Sequence, residues 1–204
     1  IFIPIVFGLY IVLNHTWQNR MLLIASYIFY GAWDWRFLSL LLISTTVDFF
    51  CGKQIEKSDD KITKKRYVSL SLLVNLSLLG VFKYYDFFSL SFKSLLGNFG
   101  VNVEPFLLNV ILPIGISFYT FQTISYTIDV YRGKLKACNN ILDFGLYVAY
   151  FPQLIAGPIE RGTRLLPQIL TRRTVTIEGV YIGAYIFLWG MFLKVFGADN
   201  LAKA

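Results

Sequence analysis

Hydroxyl and amide side chains are concentrated in one apolar stretch, LPIGISFYTFQTISYTIDVYRG, which runs from Leu112 to Gly133. At about 100° per residue, Ser117, Thr120, Thr123 and Thr127 fall on one stripe of a helix, with Gln122 and Ser125 roughly opposite. In an apolar medium such groups bond to neighbouring helices or line a polar cavity that receives a substrate. Helix–helix bonding is the expected role of the hydroxyls; for Gln122 both roles stay open. Asp129 and Arg132, three apart at the end of the stretch, have the spacing of an interfacial ion pair. Asp48 and Asp86 are weaker versions of the same case near other apolar ends. A second stretch, YFPQLIAGPIERG from Tyr150 to Gly162, sets Gln153 and Arg161 among two prolines and a glycine. The one histidine, His15, stands beside Trp17 and Arg20, a setting that suits an interface better than catalysis. It also sits in Asn14-His15-Thr16, a glycosylation acceptor pattern that is common by chance. Nucleophile elbows, phosphate-cradling glycine loops, zinc spacings and paired carboxylates are absent from the sequence. Cys51 and Cys138 show no metal spacing and read as two free thiols.

These residues need elements to position them, and composition names the medium. Of 204 residues, 56% are hydrophobic, 18% aromatic and only 15% charged, where a soluble domain has about a quarter charged. One compact domain of this length cannot bury so much apolar surface, so the class is integral membrane protein. A net charge of +7 would suit nucleic acid, but six of the nineteen basic residues fall in KQIEKSDDKITKKR, Lys53 to Arg66. The positive-inside rule expects that of a cytoplasmic loop, and a phosphate-binding patch is the lesser alternative.

Uncharged runs divide the chain. Ile1 to Asn19 and Pro105 to Ile128 are long enough to span a hydrocarbon core of about 30 Å at about 1.5 Å per residue. Met21 to Trp33 and Phe37 to Val47 are shorter and flank WDWR, which reads as a hairpin tip in the aromatic belt. Tyr67 to Phe82 continues through KYYDFF into Leu90, and Phe144 to Ile159 and Gly179 to Leu193 follow. The basic stretch RGKLKACNN (132–140) and the stretch from Glu160 to Glu178 both read cytoplasmic. Phe144 to Ile159 must then enter and return, unless it is a kinked spanning helix. Pro152 and Pro158 cannot continue a helix and Gly157 accepts unusual angles. Broken backbone at membrane depth is tolerated where it is buried in protein or borders a wet cavity. The first residue is Ile1 and the chain stops soon after an apolar run, so a fragment of a longer protein is expected.

Three blocks carry a resemblance: the 112–133 stretch, DFGLYVAYFPQLIAGPIERGTRLLPQI (143–169) and WGMFLKVFGADNLA (189–202). In this order they resemble the membrane-bound O-acyltransferase family, in the bacterial branch that acetylates alginate and peptidoglycan. SYIFYGAWDWRFLSLLLISTTVDFFCG (26–52) resembles that branch's N-terminal region. The resemblance implies an all-α polytopic fold with kinked and re-entrant helices around a central cavity. Residues 1–204 would be the N-terminal part of a single membrane domain in the bacterial cytoplasmic membrane. It implies O-acyl transfer, here of acetyl, from a cytoplasmic donor (acetyl-CoA or an acyl carrier) to hydroxyls of an extracytoplasmic polysaccharide. No bound cofactor or metal is implied, and a secreted or periplasmic acetyltransferase is an implied partner. The family's histidine lies downstream of the ADNLA block, beyond Ala204, so this stretch alone is expected to be inactive. The positions that carry over as cavity or donor-binding residues are Gln122, Tyr126, Gln153, Gly157, Pro158 and Arg161. The alternatives are D-alanyl transfer to teichoic acid, a transporter segment, and a non-catalytic scaffold.

Overall fold

The computed structural model describes residues 1–99, 104, 107, 112–155 and 157–202, and every regular element among them is helical. The chain divides into two units, Ile1–Thr171 and Arg172–Ala204.

In the first unit, Ile1 to Asn19 is not one span. Helix α1 (Phe2–Val12) stops where Leu13 turns extended, and Asn14 starts α2 (His15–Asp34) by accepting the N–H of Trp17 at 3.1 Å. Asparagine caps helix starts because its carbonyl replaces the missing partner of an end N–H. A run free of charge thus still carried a break. WDWR forms a corner: Asp34 is extended, holds the N–H of Arg36 at 3.0 Å and pairs with its guanidinium at 2.6 Å. After one 3₁₀ turn, α3 (Leu38–Lys57) begins.

The basic stretch Lys53–Arg66 is mostly helix rather than loop. Helix α3 runs to Lys57 and α4 (Lys61–Leu79) starts after only three intervening residues. Lysine and glutamate are good helix formers, and Asp60 caps α4 by accepting the N–H groups of Ile62 and Thr63 at 3.1 and 2.9 Å. Through a π turn, Gly80–Tyr84, α4 continues into α5 (Tyr85–Asn98). Pro105, Phe106 and residues 108–111 of the expected Pro105–Ile128 span lie outside the described residues. The polar part of that span is α6 (Ile116–Tyr131), about 24 Å long. Short helices α7 (Ile141–Ala149), α8 (Phe151–Leu154) and α9 (Gly162–Leu170) complete the unit.

This unit is polar inside and apolar outside. Ser44, Asp48, Ser71, Asn75, Gln122, Thr123 and Thr127 are buried, whereas Ile3, Ile5, Leu70, Leu73, Phe87 and Phe92 are exposed. Water would drive the opposite arrangement, whereas lipid tails are as apolar as leucine and reward polar groups that pair within the protein.

In the second unit, α10 (Ile177–Phe192) passes through a π turn, Leu193–Ala198, into α11 (Asp199–Leu201). The uncharged run Gly179–Leu193 under-reads this helical stretch, which continues past Lys194 to Leu201; Lys194 pairs there with Asp199 at 2.7 Å. The helical stretches His15–Lys57, Lys61–Asn98 and Ile177–Leu201 are long and apolar enough to cross a membrane. The protein is a multi-pass membrane protein.

Candidate functional site

The segment from Ile141 to Leu170 doubles back on itself. The side-chain amide of Asn19 donates at 3.1 Å both to Asp143, near the start of α7, and to the carbonyl of Ile169, near the end of α9. One short side chain therefore holds both ends of the segment. Arg20 joins the same corner through Asp143 at 3.6 Å. The far end lies against the start of α6 and against α2. There Ser26 Oγ accepts the N–H of Phe151 at 3.1 Å, and the carbonyl of Leu154 approaches Gly115. Gly115 has φ +77°, and a Cβ on it would lie 2.4 Å from that carbonyl oxygen, so the position requires glycine twice over. Tyr30 fixes the neighbouring residue by donating to the carbonyl of Ile114 at 3.1 Å.

The break itself follows from the sequence. Helix α7 ends at Ala149, Tyr150 leaves helical geometry, and α8 lasts four residues with Pro152 at its start. The N–H of Gly157 then bonds the carbonyl of Gln153 at 3.0 Å. A Cβ on Gly157 would meet Gln153 Cα at 2.4 Å, so this close turn also needs glycine. The segment is not one continuous helix, and the body of α7 faces protein: Phe144, Leu146, Tyr147, Val148 and Ala149 are fully buried.

Three of the six sequence-derived positions, Gln122, Tyr126 and Gln153, converge on one residue that the sequence did not single out, Tyr147. Its carbonyl accepts Gln122 Nε2 at 2.7 Å and Gln153 Nε2 at 3.5 Å. Its hydroxyl lies 3.3 Å from the carbonyl of Gln122 and 3.4 Å from that of Glu160. Tyr126, also fully buried, packs its ring 4.5 Å from Phe144 and accepts the N–H of Cys138 on its hydroxyl at 3.0 Å. Gln122, Tyr126, Gln153 and Gly157 thus form a seam between α6 and the doubled-back segment. Pro158 and Arg161 stand apart from it, exposed on the return path, where Arg161 precedes α9.

Below the seam, between residues 135–140, the start of α7 and α9, is a cavity of about 370 Å³. Leu135, Leu166, Pro167 and Leu170 make its wall apolar, and Lys136, Asn139 and Asp143 add polar groups. That size and mixture suit an organic ligand. Cys138 also lines it, and burial pushes its thiol above the ordinary range. It and Cys51 are both free thiols.

The other face of α6 carries a second polar cluster, in which the sequence reading misplaced Asp48. It is not an interfacial ion-pair residue. It sits fully buried midway along α3 and accepts bonds from Ser71, from Asn75 Nδ2 at 2.7 Å and from Thr127 at 3.0 Å. Asn75 Oδ1 in turn accepts Ser44 at 2.5 Å and Thr123 at 3.4 Å. The signal was present as three pairs spaced by four, Ser44/Asp48, Ser71/Asn75 and Thr123/Thr127, each one turn apart on its own helix. The ion pair expected of Asp129 and Arg132 is not among those of the described residues; Arg20–Asp143 is the pair near these turns.

No family model and no solved structure matches the chain. Curated relatives do. The chain is 42% identical over 204 residues to the probable alginate O-acetylase AlgI of Pseudomonas aeruginosa, covering 99% of the chain and 39% of that protein. It is 41% identical to the corresponding protein of Azotobacter vinelandii, at 99% and 40% coverage. To the peptidoglycan O-acetyltransferase of Helicobacter pylori it is 32% identical, at 98% and 43%. The chain therefore spans about two-fifths of the length of these relatives. Along nearly all of its own length the chain is homologous to part of these O-acetyltransferases, in line with the membrane-bound O-acyltransferase family that its motifs resemble.

Proposed function

We propose that the chain is part of a membrane O-acyltransferase that moves an acetyl group from a cytoplasmic donor to hydroxyls of an extracytoplasmic polysaccharide such as alginate or peptidoglycan. The observation that supports this most is the doubled-back segment, whose turn lies beside α6 and whose two ends frame a ligand-sized cavity. In this reading residues 1–204 are the N-terminal part of one membrane domain in the bacterial cytoplasmic membrane. A secreted or periplasmic acetyltransferase is its partner in delivery.

Transfer from a thioester breaks the acyl carbon–sulfur bond, forms the ester carbon–oxygen bond and returns the hydroxyl proton to the thiolate. A base serves that proton transfer, and this reading assigns it to a histidine downstream of the ADNLA block. The residues in hand bind and hold. The cavity beside Leu135 and Leu166 receives the thioester arm of acetyl-CoA or an acyl carrier. Arg161, exposed on the return path, offers bidentate donors to donor phosphates. The Gln122–Tyr147–Gln153 seam keeps the turn in register with α6.

The test is ester analysis of envelope polysaccharide from a deletion strain complemented with wild type or Arg161→Ala. Acetyl esters should vanish on deletion, return with wild type and return only in part with the variant at equal membrane abundance. Unchanged acetyl esters on deletion would refute the function; loss of D-alanyl esters instead would select the teichoic acid reading.

A further inference from the structure

A carboxylate buried among helices needs a counter-charge, and none of Asp48's contacts supplies one. Its hydrogen-bond partners Ser71, Asn75 and Thr127 are all neutral. Ion pairs among the described residues are Arg20–Asp143, Arg36–Asp34 and Lys194–Asp199. Lys53, the nearest base on α3, lies over the Phe49 ring at 5.7 Å. An unpaired ion buried this way is costly.

The cluster around Asp48 is a connected set of neutral polar groups. Ser44 donates to Asn75 Oδ1, Thr123 lies 3.4 Å from the same oxygen and donates to the Thr120 carbonyl at 3.1 Å, and Asn75 Nδ2 donates to Asp48 Oδ2 and to the Ser71 carbonyl. The Ser71 and Thr127 hydroxyls donate to Asp48 Oδ1. The Asn75 amide nitrogen can only donate, so Asp48 Oδ2 is an acceptor, and the two hydroxyls beside Oδ1 complete a shell of polar neighbours without a cation among them. In this cluster the oxygens come from three helices and are all hard ligands: carboxylate, amide carbonyl and hydroxyl. One turn along α6, Thr120 Oγ1 adds a buried oxygen without a hydrogen-bond partner.

We propose that Asp48, Asn75, Ser44, Ser71, Thr123 and Thr127 form a site for a small monovalent cation, sodium by ligand type. Oxygen ligands of this kind select hard cations. A single carboxylate balances one positive charge and leaves a divalent ion uncompensated. Hydroxyls serve both partners, because each keeps lone pairs for the ion while its proton faces the carboxylate. Such a site ties α3, α4 and α6 together and stands independently of the acyl-transfer reading.

The experiment follows thermal unfolding of the full-length protein in detergent at neutral pH, with sodium chloride replaced by choline chloride at constant ionic strength. Wild type should gain about 3 °C or more in midpoint at saturating sodium, and Asp48→Asn should gain nothing. Thr127→Val, which keeps the charge and removes one ligand, should need about tenfold more sodium for the same gain. If Asp48→Asn fails to fold, retention of radiolabelled sodium by wild type and Thr127→Val decides. No sodium-specific gain in wild type overturns the proposal, as does an equal gain in Asp48→Asn. Stability that follows pH but not sodium overturns it too, because the counter-charge is then a proton.

Discussion

Replacing Gly115 by alanine tests whether the doubled-back segment is seated on α6 as described. The backbone at this position is left-handed, at φ +77°, which costs a non-glycine residue about 1–2 kcal/mol. The added Cβ would lie 2.4 Å from the Leu154 carbonyl oxygen, whereas real Cβ atoms keep beyond 3.0 Å. The turn must then retreat by about 0.6 Å, and it cannot do so cheaply in a close-packed interior. Leu154 is fully buried and the next residues are held by the Gly157–Gln153 turn. Overpacking of this kind costs about 1–3 kcal/mol, so the total is about 2–5 kcal/mol, or a loss of about 5–15 °C in thermal midpoint. Gly8→Ala in exposed helix α1 is the control, since nothing lies within 4 Å of its Cβ. It should leave the midpoint unchanged or raise it through better helix propensity. Midpoints of both variants, measured in detergent on the full-length protein, decide the matter. A Gly115→Ala protein as stable as Gly8→Ala would mean that α6 and the turn are not in contact.

Gln122→Leu removes the 2.7 Å bond to the Tyr147 carbonyl and should cost about 1–3 kcal/mol for a buried acceptor left under-satisfied. Tyr147→Phe loses only contacts of 3.3 and 3.4 Å and should cost under about 1 kcal/mol; the reverse order in unfolding midpoints would contradict the seam. Asp60 is held below the usual carboxylate range, first by the Thr63 hydroxyl and then by backbone N–H groups. Its cap therefore contributes above the unfolded value of about 4 and is lost as pH falls through the folded one. Acid scans should show a shallower stability loss in Asp60→Ala than in wild type. Cys138, with its thiol raised by burial, should react with a thiol reagent at neutral pH far more slowly in the folded protein than in the unfolded chain; equal rates would place it at the surface.

Much of the fold was legible because its signals are local. Pro152, Gly157 and Pro158 interrupt an apolar run, and no neighbour is needed to see that a helix cannot continue there. The two polar faces of α6 were readable from angular spacing, and the structure gives each a partner: Tyr147 and Gln153 on one, Asp48 and Asn75 on the other. What escaped depends on distant contacts or on how charges are counted. Asp48 looks interfacial in a list of charges, because its three donors come from helices that begin or resume at Lys61 and Ile116. Tyr147 sits in an apolar run, and its importance is carried by its backbone carbonyl, which has no signature in residue type. Counting uncharged residues merged α1 with α2 across Asn14 and stopped at Lys194, missing the helical continuation through the π turn into α11, since a cap has no charge and a paired lysine has little net charge.

The wide turn at Gly80–Tyr84 accommodates one residue more than a regular helix would over the same rise. Seen along the axis, residues beyond it are therefore out of phase by about 100° with a wheel drawn from α4. Deleting one residue between 80 and 84 should convert the rod to uniform winding while leaving its outer faces aligned as they are now. Inserting one elsewhere in α4 would rotate Lys83 away from Ser117, to which it donates at 2.9 Å. The long rod thus tolerates a change of length at one address and resists it at others.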